Sequence, residues 1–387
     1  MAKQYNSNPG GSVNKKALAL HKKLGGKIRI EPAMAIKNRE ALSLVYTPGV
    51  AAVSSFVAKN PGLARDYTIK GRMVAVISDG SAVLGLGNIG ALGALPVMEG
   101  KCALFKTFAG VDAFPIVLAT QDTDKIVEAI IAIAPAFGGI NLEDFSAPRC
   151  FEIEERLKER LDIPVMHDDQ HGTAIAVFAG LINAAKVVGK KLPKLRVVIS
   201  GAGAAGTGIA KLLLLAGVSD IIVLDTKGTI THGREGLSGH KLELSEGTNP
   251  RAVAGGLAEA LAGADVFIGV SGPNLMNASH VRLMAEKAIV FAMANPVPEI
   301  MPDEAKRGGA AVIATGRSDF PNQLNNSLVF PGVFRGALDH RVSKITDAMK
   351  LRAAKNLAAL VAKPTAIKII PEPFDKRVAS AVARAIR

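Results

Sequence analysis

The sequence predicts an α/β protein of two domains, an N-terminal α/β domain over residues 1–165 and a doubly wound domain over residues 166–387. Short apolar runs without polar alternation, typical of buried parallel strands, recur between helical segments. A Lys-rich linker at 190–195 leads into a glycine-rich turn and a second set of such runs. The chain has 387 residues, 49% of them hydrophobic, which is enough to bury two cores.

The first domain begins its sheet with a β-branched strand at 73–78. A second strand is predicted at 102–105, with Lys101 at its start, and a third at 115–119. A lysine there is partly desolvated, and a nearby metal ion would lower its pKa further, so that Lys101 could accept a proton near neutral pH. A surface lysine at a strand edge is an equally supported alternative.

Two acidic pairs follow short apolar runs where strands are expected to end. Glu143-Asp144 and Asp168-Asp169 are separated by one predicted helix at 150–161, which brings them close together. Four carboxylates in one small space raise each other's pKa unless a cation neutralises them. Oxygen ligands without cysteine favour Mg²⁺ or Mn²⁺ over Zn²⁺. The sequence therefore predicts a divalent metal site, with two solvated loop turns as the alternative.

The second domain opens with a strand at 196–200, followed by a Gly-x-Gly-x-x-Gly turn and a helix. A further strand at 220–225 ends in a carboxylate, Asp225. Together they form the dinucleotide-binding βαβ unit of a Rossmann-type domain, in which glycines let the backbone approach the pyrophosphate at the helix N-terminus. The residues assigned to this turn are Gly201, Gly203, Ala204, Ala205 and Gly206. A second match, at 85–90, is followed by no acid at a strand tip and is rejected.

Apolar runs at 266–270, 288–294 and 311–314 predict the remaining buried strands. Ligands of open α/β sheets bind beyond the carboxyl ends of such strands, where Asn295 follows one strand and Asn325 and Asn326 lie beyond another. Their amides could bond a ribose or a carboxylate, although Asn also forms turns. In the first domain, a Thr-Pro-Gly turn is expected to hold the phenol of Tyr46 in place, either for function or as a half-buried bonded tyrosine.

The net charge of +13 would suit nucleic acid, but only 4% of residues are aromatic, and the basic residues are mostly scattered. A dinucleotide and a small dianion explain the positive charge equally well. No apolar run reaches the ~18 residues of a membrane span, and residues 1–27 lack a secretory signal pattern. The two unpaired cysteines fit a reducing compartment, so we expect a cytoplasmic protein that binds neither nucleic acid nor membrane.

Six segments of the chain resemble the malic enzymes, and specifically their short prokaryotic form. They occur in one order over residues 30 to 335: Tyr46-Thr-Pro-Gly-Val-Ala, Ser78-Asp-Gly-Ser-Ala-Val-Leu-Gly-Leu-Gly-Asn-Ile-Gly, Gly100-Lys-Cys-Ala-Leu-Phe-Lys-Thr-Phe-Ala-Gly-Val-Asp, Leu142-Glu-Asp-Phe, His167-Asp-Asp-Gln-His-Gly-Thr and Thr315-Gly-Arg-Ser-Asp-Phe-Pro-Asn-Gln-Leu-Asn-Asn.

This resemblance implies oxidative decarboxylation of (S)-malate to pyruvate and CO₂ with NAD or NADP and Mg²⁺ or Mn²⁺, decarboxylation of oxaloacetate, and a homodimer or homotetramer. It further implies a role for each matching site residue. The metal ligands would be Glu143, Asp144 and Asp169. Lys101 would be the general base, supported by Asp168, and Tyr46 would be the general acid. The amides of Asn295, Asn325 and Asn326 would bind the substrate, and Asn295 would also lie near the cofactor.

Two points stay open at this stage. Longer malic enzymes carry an arginine for the substrate carboxylate where this chain has Ser81-Ala82, which leaves Arg72 and Arg317 as candidates. Asp225 slightly favours NAD, because it would repel a 2′-phosphate, although Lys227 could offset this. The alternative functions are a hydroxy-acid or amino-acid dehydrogenase that does not decarboxylate, and a non-catalytic nucleotide-sensing or nucleic-acid-binding protein.

Overall fold

Two β-sheets organise the chain in the computed structural model, which describes residues 11–83 and 85–387. The first sheet has the order β2-β1-β3-β4 and is parallel throughout. The second has the order β10-β9-β8-β5-β6-β7, and only its β6–β7 pair is antiparallel. The strands are β1 Met73–Ser78, β2 Asp112–Val117, β3 Gly139–Leu142, β4 Val165–His167, β5 Arg196–Ser200, β6 Asp220–Asp225, β7 Gly228–Thr229, β8 Val266–Gly269, β9 Ile289–Ala292 and β10 Val312–Thr315.

Sixteen α-helices in the described ranges surround these sheets. In the first half they are α1 Gly11–Leu24, α2 Arg39–Val45, α3 Gly49–Lys59, α4 Ala64–Tyr67, α5 Gly90–Ala109, α6 Thr123–Ile133, α7 Arg149–Arg160 and α8 Asp168–Val188. In the second half they are α9 Ala204–Leu215, α10 His240–Gly247, α11 Leu257–Leu261, α12 Ala278–Leu283, α13 Pro302–Arg307, α14 Phe330–Asp339, α15 Asp347–Ala359 and α16 Arg377–Ala383.

The sequence predicted β1, β5 and β6 with the bounds that the structure has, but it was wrong about residues 102–105. These residues lie inside helix α5, and the rejected glycine match at 85–90 is followed by this helix, not by a strand. Ala94, Met98, Cys102 and Phe105 are all buried at spacings of three or four residues, the period of one helix face. A four-residue apolar run does not distinguish strand from helix, whereas this longer spacing does.

Helix α8 connects the two sheets. It begins directly after β4, packs against α9 and α15, and buries residues on every side along most of its length. A helix that is apolar all round is stable only in a core. Because α8 belongs to the largest hydrophobic cluster, which includes side chains of β1 and β5, its first turn is fixed relative to both sheets.

The N-terminal helices differ from the rest because neither α2 nor α3 buries any residue. The expectation that no apolar run is long enough for a membrane span is wrong by length and composition, because two segments of the described chain pass that test, 39–59 and 168–188. The second is mostly core, and the first is interrupted between α2 and α3 at Pro48. We call Leu42, Leu44, Val53, Phe56 and Tyr67 the N-terminal apolar face, because all five side chains are exposed.

Candidate active site

The acidic cluster forms at the carboxyl ends of β3 and β4. These strands are parallel neighbours, with Leu142 paired to His167, so that the residues directly after them meet. Glu143, Asp144 and Asp169 each offer one oxygen atom, and these atoms lie within 4.8 Å of one another. The structure thus brings together the three residues that the sequence assigned to a metal.

Burial and mutual repulsion disfavour the ionised forms of Glu143 and Asp144. Burial among like charges raises the pKa of Glu143 well above its usual value, and that of Asp144 to about 8. One oxygen of Asp144 and one of Asp168 are buried without a hydrogen-bond partner among the described residues. Unpartnered buried oxygens are costly, and hard oxygen donors suit a divalent cation. The residues therefore fit Mg²⁺ or Mn²⁺.

Lys101 reaches the cluster from helix α5. Its Nζ lies 2.5 Å from Asp168 Oδ2 and 2.9 Å from Glu143 Oε1, and 4.4 Å from the ring centre of Phe330. Desolvation lowers the pKa of Lys101, but the charges of Asp168 and Glu143 outweigh it and raise the pKa above its usual value. Without a cation the carboxylates therefore favour the ammonium form of Lys101, and the lowered pKa expected beside a metal ion stays a prediction.

The Asp144 backbone holds Asp169 in place, and the His167 ring lies beside it. The Asp144 N–H donates to Asp169 Oδ2 at 2.8 Å, and His167 Nε2 lies 3.4 Å from the same oxygen. Asp144 has a φ of 57°, a left-handed conformation that Asp and Asn adopt more readily than most residues. Sequence reasoning missed His167, although its place beside Asp168 was a usable signal.

Tyr46 lies apart from this cluster. Its side chain is 66% exposed, its hydroxyl makes no hydrogen bond to the described residues, and it does not line the cavity that contains Asp169. The expectation that the Thr-Pro-Gly turn holds the phenol is wrong for the single chain. The turn fixes the backbone, because Tyr46 O accepts from Val50 N, but nothing in the described part of the chain covers the ring.

The glycine-rich turn has the backbone that a dinucleotide requires. Gly201 has a φ of 117°, and a Cβ on Gly206 would lie 1.8 Å from Gly201 O, so a side chain is excluded there. Helix α9 begins at Ala204, after Gly203. A cavity of about 770 Å³ adjoins this turn and also contains Asp225 and Lys241.

Both carboxylate oxygens of Asp225, at the tip of β6, bind cationic side chains. Arg234 donates to both its oxygens, at 2.9 and 2.6 Å, and Lys241 Nζ lies 2.7 Å from Oδ2. Although burial raises its pKa, these two cations hold the pKa of Asp225 well below its usual value. Sequence reasoning considered only Lys227 here and missed Arg234 and Lys241, since the long β7–α10 connection gave no signal for their return.

A second cavity, of about 650 Å³, connects the acidic cluster to the nucleotide turn. Both halves of the chain line it, and the assigned residues among its lining are Gly203, Ala204, Ala205, Asp169, Asn295, Asn325 and Asn326. A ligand in this cavity could therefore touch Asp169, the glycine-rich turn and the asparagines at once.

Some of the polar groups around this cavity already form hydrogen bonds or ion pairs within the chain. Asn295 Nδ2 donates to Met293 O at 3.3 Å, and Asn325 Oδ1 accepts from Ser327 N at 2.9 Å, which leaves the Asn325 amide nitrogen available. Of the two carboxylate candidates, Arg72 pairs with Asp112, and Arg317 pairs with Asp319 and the Pro296 carbonyl. The Arg317 guanidinium is therefore engaged, whereas Arg72 approaches Asp112 only through Nε, at 3.6 Å, and its side chain is 61% exposed.

Comparison with known proteins agrees with this geometry. The family model for the malic enzyme N-terminal domain matches residues 25–158, and the model for the malic enzyme NAD binding domain matches residues 170–386. The chain is 53% identical over 378 residues to the bifunctional malic/malolactic enzyme of Bacillus subtilis, covering 97% of this chain and 92% of that protein.

Further relatives and solved structures point to the same family. The chain is 53% identical over 377 residues to the NAD-dependent malic enzyme of Geobacillus stearothermophilus, covering 97% of this chain and 78% of that one. The crystal structure of an NAD-dependent malic enzyme from Thermotoga maritima superposes with a TM-score of 0.93 at 49% identity, covering 96% of this chain and 98% of that one.

Proposed function

The chain belongs to the malic enzyme family and oxidises and decarboxylates malate with NAD(P), and we propose that it does so with a divalent cation held by Glu143, Asp144 and Asp169. The observation that carries this proposal is the meeting of three carboxylates and Lys101 beside the cavity that reaches the glycine-rich turn. When bound, the cation would act as a Lewis acid toward oxaloacetate and toward the enolate that remains after CO₂ leaves.

Lys101 is the proposed base for the malate hydroxyl proton, while hydride leaves C2 for the nicotinamide. Cation binding at Glu143, Asp144 and Asp169 would offset part of the negative charge that raises the pKa of Lys101, so Nζ would lose its proton more readily in the loaded enzyme. Asp168, which bonds Nζ at 2.5 Å, would hold the amine in place during the proton transfer.

Tyr46 is the proposed acid for the enolate carbon, and its position links this role to assembly. Tyr46 and the five side chains of the N-terminal apolar face are all exposed, and they lie on or between α2, α3 and α4, in which α3 contacts both α2 and α4. A large exposed apolar patch marks an interaction surface. We infer that two copies pair through this face as a homodimer, and that the pairing places Tyr46 at an active site.

We propose that both NAD and NADP are accepted. Asp225 alone would favour NAD, as its place at the tip of β6 suggests. Its charge is balanced by Arg234 and Lys241, which reduces repulsion of a 2′-phosphate and supplies a cation for it.

The remaining proposals are a domain boundary at 165/166 and a cytoplasmic location, the latter in keeping with two buried free cysteines.

Initial rates with malate test this function. NAD or NADP reduction should require Mn²⁺ or Mg²⁺ and should produce pyruvate and CO₂. EDTA should abolish the reaction, and added Mn²⁺ should restore it. Reduction of the nucleotide that persists in EDTA and yields oxaloacetate would favour the dehydrogenase that does not decarboxylate, whereas salt-dependent DNA binding without turnover would favour the non-catalytic alternative.

A further inference from the structure

One buried carboxylate outside the acidic cluster contacts both sides of the turn that carries Asp168 and Asp169. Glu154 lies on α7, is 5% exposed, and faces the junction of β4 and α8. Its Oε1 accepts from the His167 backbone N–H at 2.9 Å. Its Oε2 lies 3.0 Å from His171 Nε2 and 3.4 Å from Gln170 Nε2.

These contacts supply what helix α8 lacks. The helix has no side-chain N-cap from its own N-cap residue, His167, although the first N–H groups of a helix need acceptors. Glu154 provides an acceptor and a negative charge at that end, which the helix dipole favours. Lys158, 2.8 Å from Oε1, offsets the added negative charge.

The contacted residues enclose the two functional acids in the sequence. His167 precedes them, and Gln170 and His171 follow them, so one carboxylate is bonded on both sides of a two-residue segment. The His167 ring is itself bonded to Gln170 Nε2, at 3.1 Å from Nδ1, and its Nε2 faces Asp169. The orientation of this ring therefore depends on the same set of contacts.

We propose that Glu154 is a positioning residue that fixes the first turn of α8, so that Asp169 points at Glu143 and Asp144 while Asp168 points at Lys101. This inference rests on the proposed metal-dependent function and adds to it a residue that touches neither the metal site nor the substrate. Residues that orient metal ligands typically affect metal affinity by about 10- to 100-fold when changed.

The test measures Mn²⁺ affinity directly, by electron paramagnetic resonance on the full chain without malate. Glu154→Ala removes the contacts that Glu154 makes with His167, Gln170, His171 and Lys158 and should weaken Mn²⁺ binding by about 10-fold or more. Glu154→Gln keeps a carbonyl that can accept from the His167 N–H, so it should bind more tightly than Glu154→Ala. Glu152→Ala is the matched control, because this exposed glutamate on α7 pairs only with Arg156 among the described residues, and should bind as wild type does.

NADH affinity, measured by fluorescence, separates positioning from general loss of structure. It should stay at the wild-type value in all three variants. Unchanged Mn²⁺ affinity in Glu154→Ala, or an equal loss of Mn²⁺ and NADH affinity, would overturn the inference. If Glu154→Ala does not fold, Glu154→Gln decides the question: weaker Mn²⁺ binding with normal NADH binding supports it, and normal Mn²⁺ binding contradicts it. Absence of Mn²⁺ binding in the wild type would instead refute the proposed metal site.

Discussion

Lys101 illustrates how much a single residue's role depends on its surroundings. The sequence predicted that Lys101 is a base, that it begins a strand, and that a nearby metal ion lowers its pKa. The structure places it on α5, with its amine between Asp168 and Glu143. The closeness of Lys101 to the site was therefore predictable, whereas the effect of Asp168 and Glu143 on its pKa was not, because these acids lie far later in the chain and reach Lys101 only in the folded protein.

Replacing Lys101 by Ala should lower the rate of malate oxidation by about 10²- to 10⁴-fold, the usual contribution of a general base. Tyr46→Phe should instead mainly slow protonation of the enolate, seen as slower exchange of the methyl protons of pyruvate in D₂O. Lys106→Ala, which changes an exposed lysine on the same helix, should leave both rates unchanged. Equal loss of both steps in the Lys101 and Tyr46 variants would contradict separate roles.

We expect the Asp144 carboxylate to lower the stability of the metal-free protein and to strengthen metal binding. Its folded-state pKa of about 8 lies above the ordinary value of 3.8. The metal-free fold therefore loses stability as pH rises from about 4 to 8, because over this range Asp144 is ionised in the unfolded chain but keeps its proton in the fold. Asp144→Asn keeps the shape and tolerates the same φ. Without metal, it should raise the free energy of unfolding by about 1–2 kcal/mol at pH 8 and by much less at pH 4.

Urea unfolding in EDTA at both pH values measures this difference, and Mn²⁺ titration checks the cost in binding. We expect the Asp144→Asn variant to bind Mn²⁺ far more weakly, because the substitution replaces an anionic ligand with a neutral one. Asp162→Asn, a change outside the cluster, serves as the control. A variant that is less stable than wild type at pH 8 would show that the Asp144 charge is already compensated in the metal-free protein.

At the scale of elements, the strands were more predictable than what lies between them. β5, α9 and β6 form a βαβ unit whose glycines and terminal acid leave few alternatives. The segment from β7 to α10 carries no such pattern, yet it returns Arg234 and Lys241 to Asp225. The cofactor type could thus be predicted from a local motif, whereas the balance of charge at the ribose depends on a tertiary contact.

Lys241 should therefore matter for NADP more than for NAD. Lys241→Ala should weaken binding of 2′,5′-ADP by about 10-fold, the effect of losing one charged contact, and leave 5′-AMP binding unchanged. Calorimetry with these two nucleotides measures this without turnover. Lys211→Ala, an exposed lysine on α9 that pairs with Glu243, is the control. An equal effect on both nucleotides would mean that Lys241 only supports the local fold.

The whole molecule shows why the acidic cluster was predictable and the position of Tyr46 was not. Consecutive parallel strands β3 and β4 bring their carboxyl ends together, a rule that the sequence pattern already contains. Tyr46 lies between two helices that bury nothing against the described chain. An apolar helix face predicts burial but does not identify its partner, so the sequence alone could not tell whether that partner belongs to this chain or to another.

Phe56→Glu should test whether that partner is a second copy. Phe56 packs on Tyr67 at 4.9 Å between ring centres and is 39% exposed, so a charge there costs the monomer little but would be buried unpaired in a dimer. Sedimentation should show a dimer for wild type and a monomer for the variant. If Tyr46 acts only after pairing, the monomer should bind NADH normally and lose malate turnover. Phe374→Glu, at an exposed site outside this face, should stay dimeric and active. A Phe56→Glu monomer with full malate turnover would show that Tyr46 does not need the dimer in order to act.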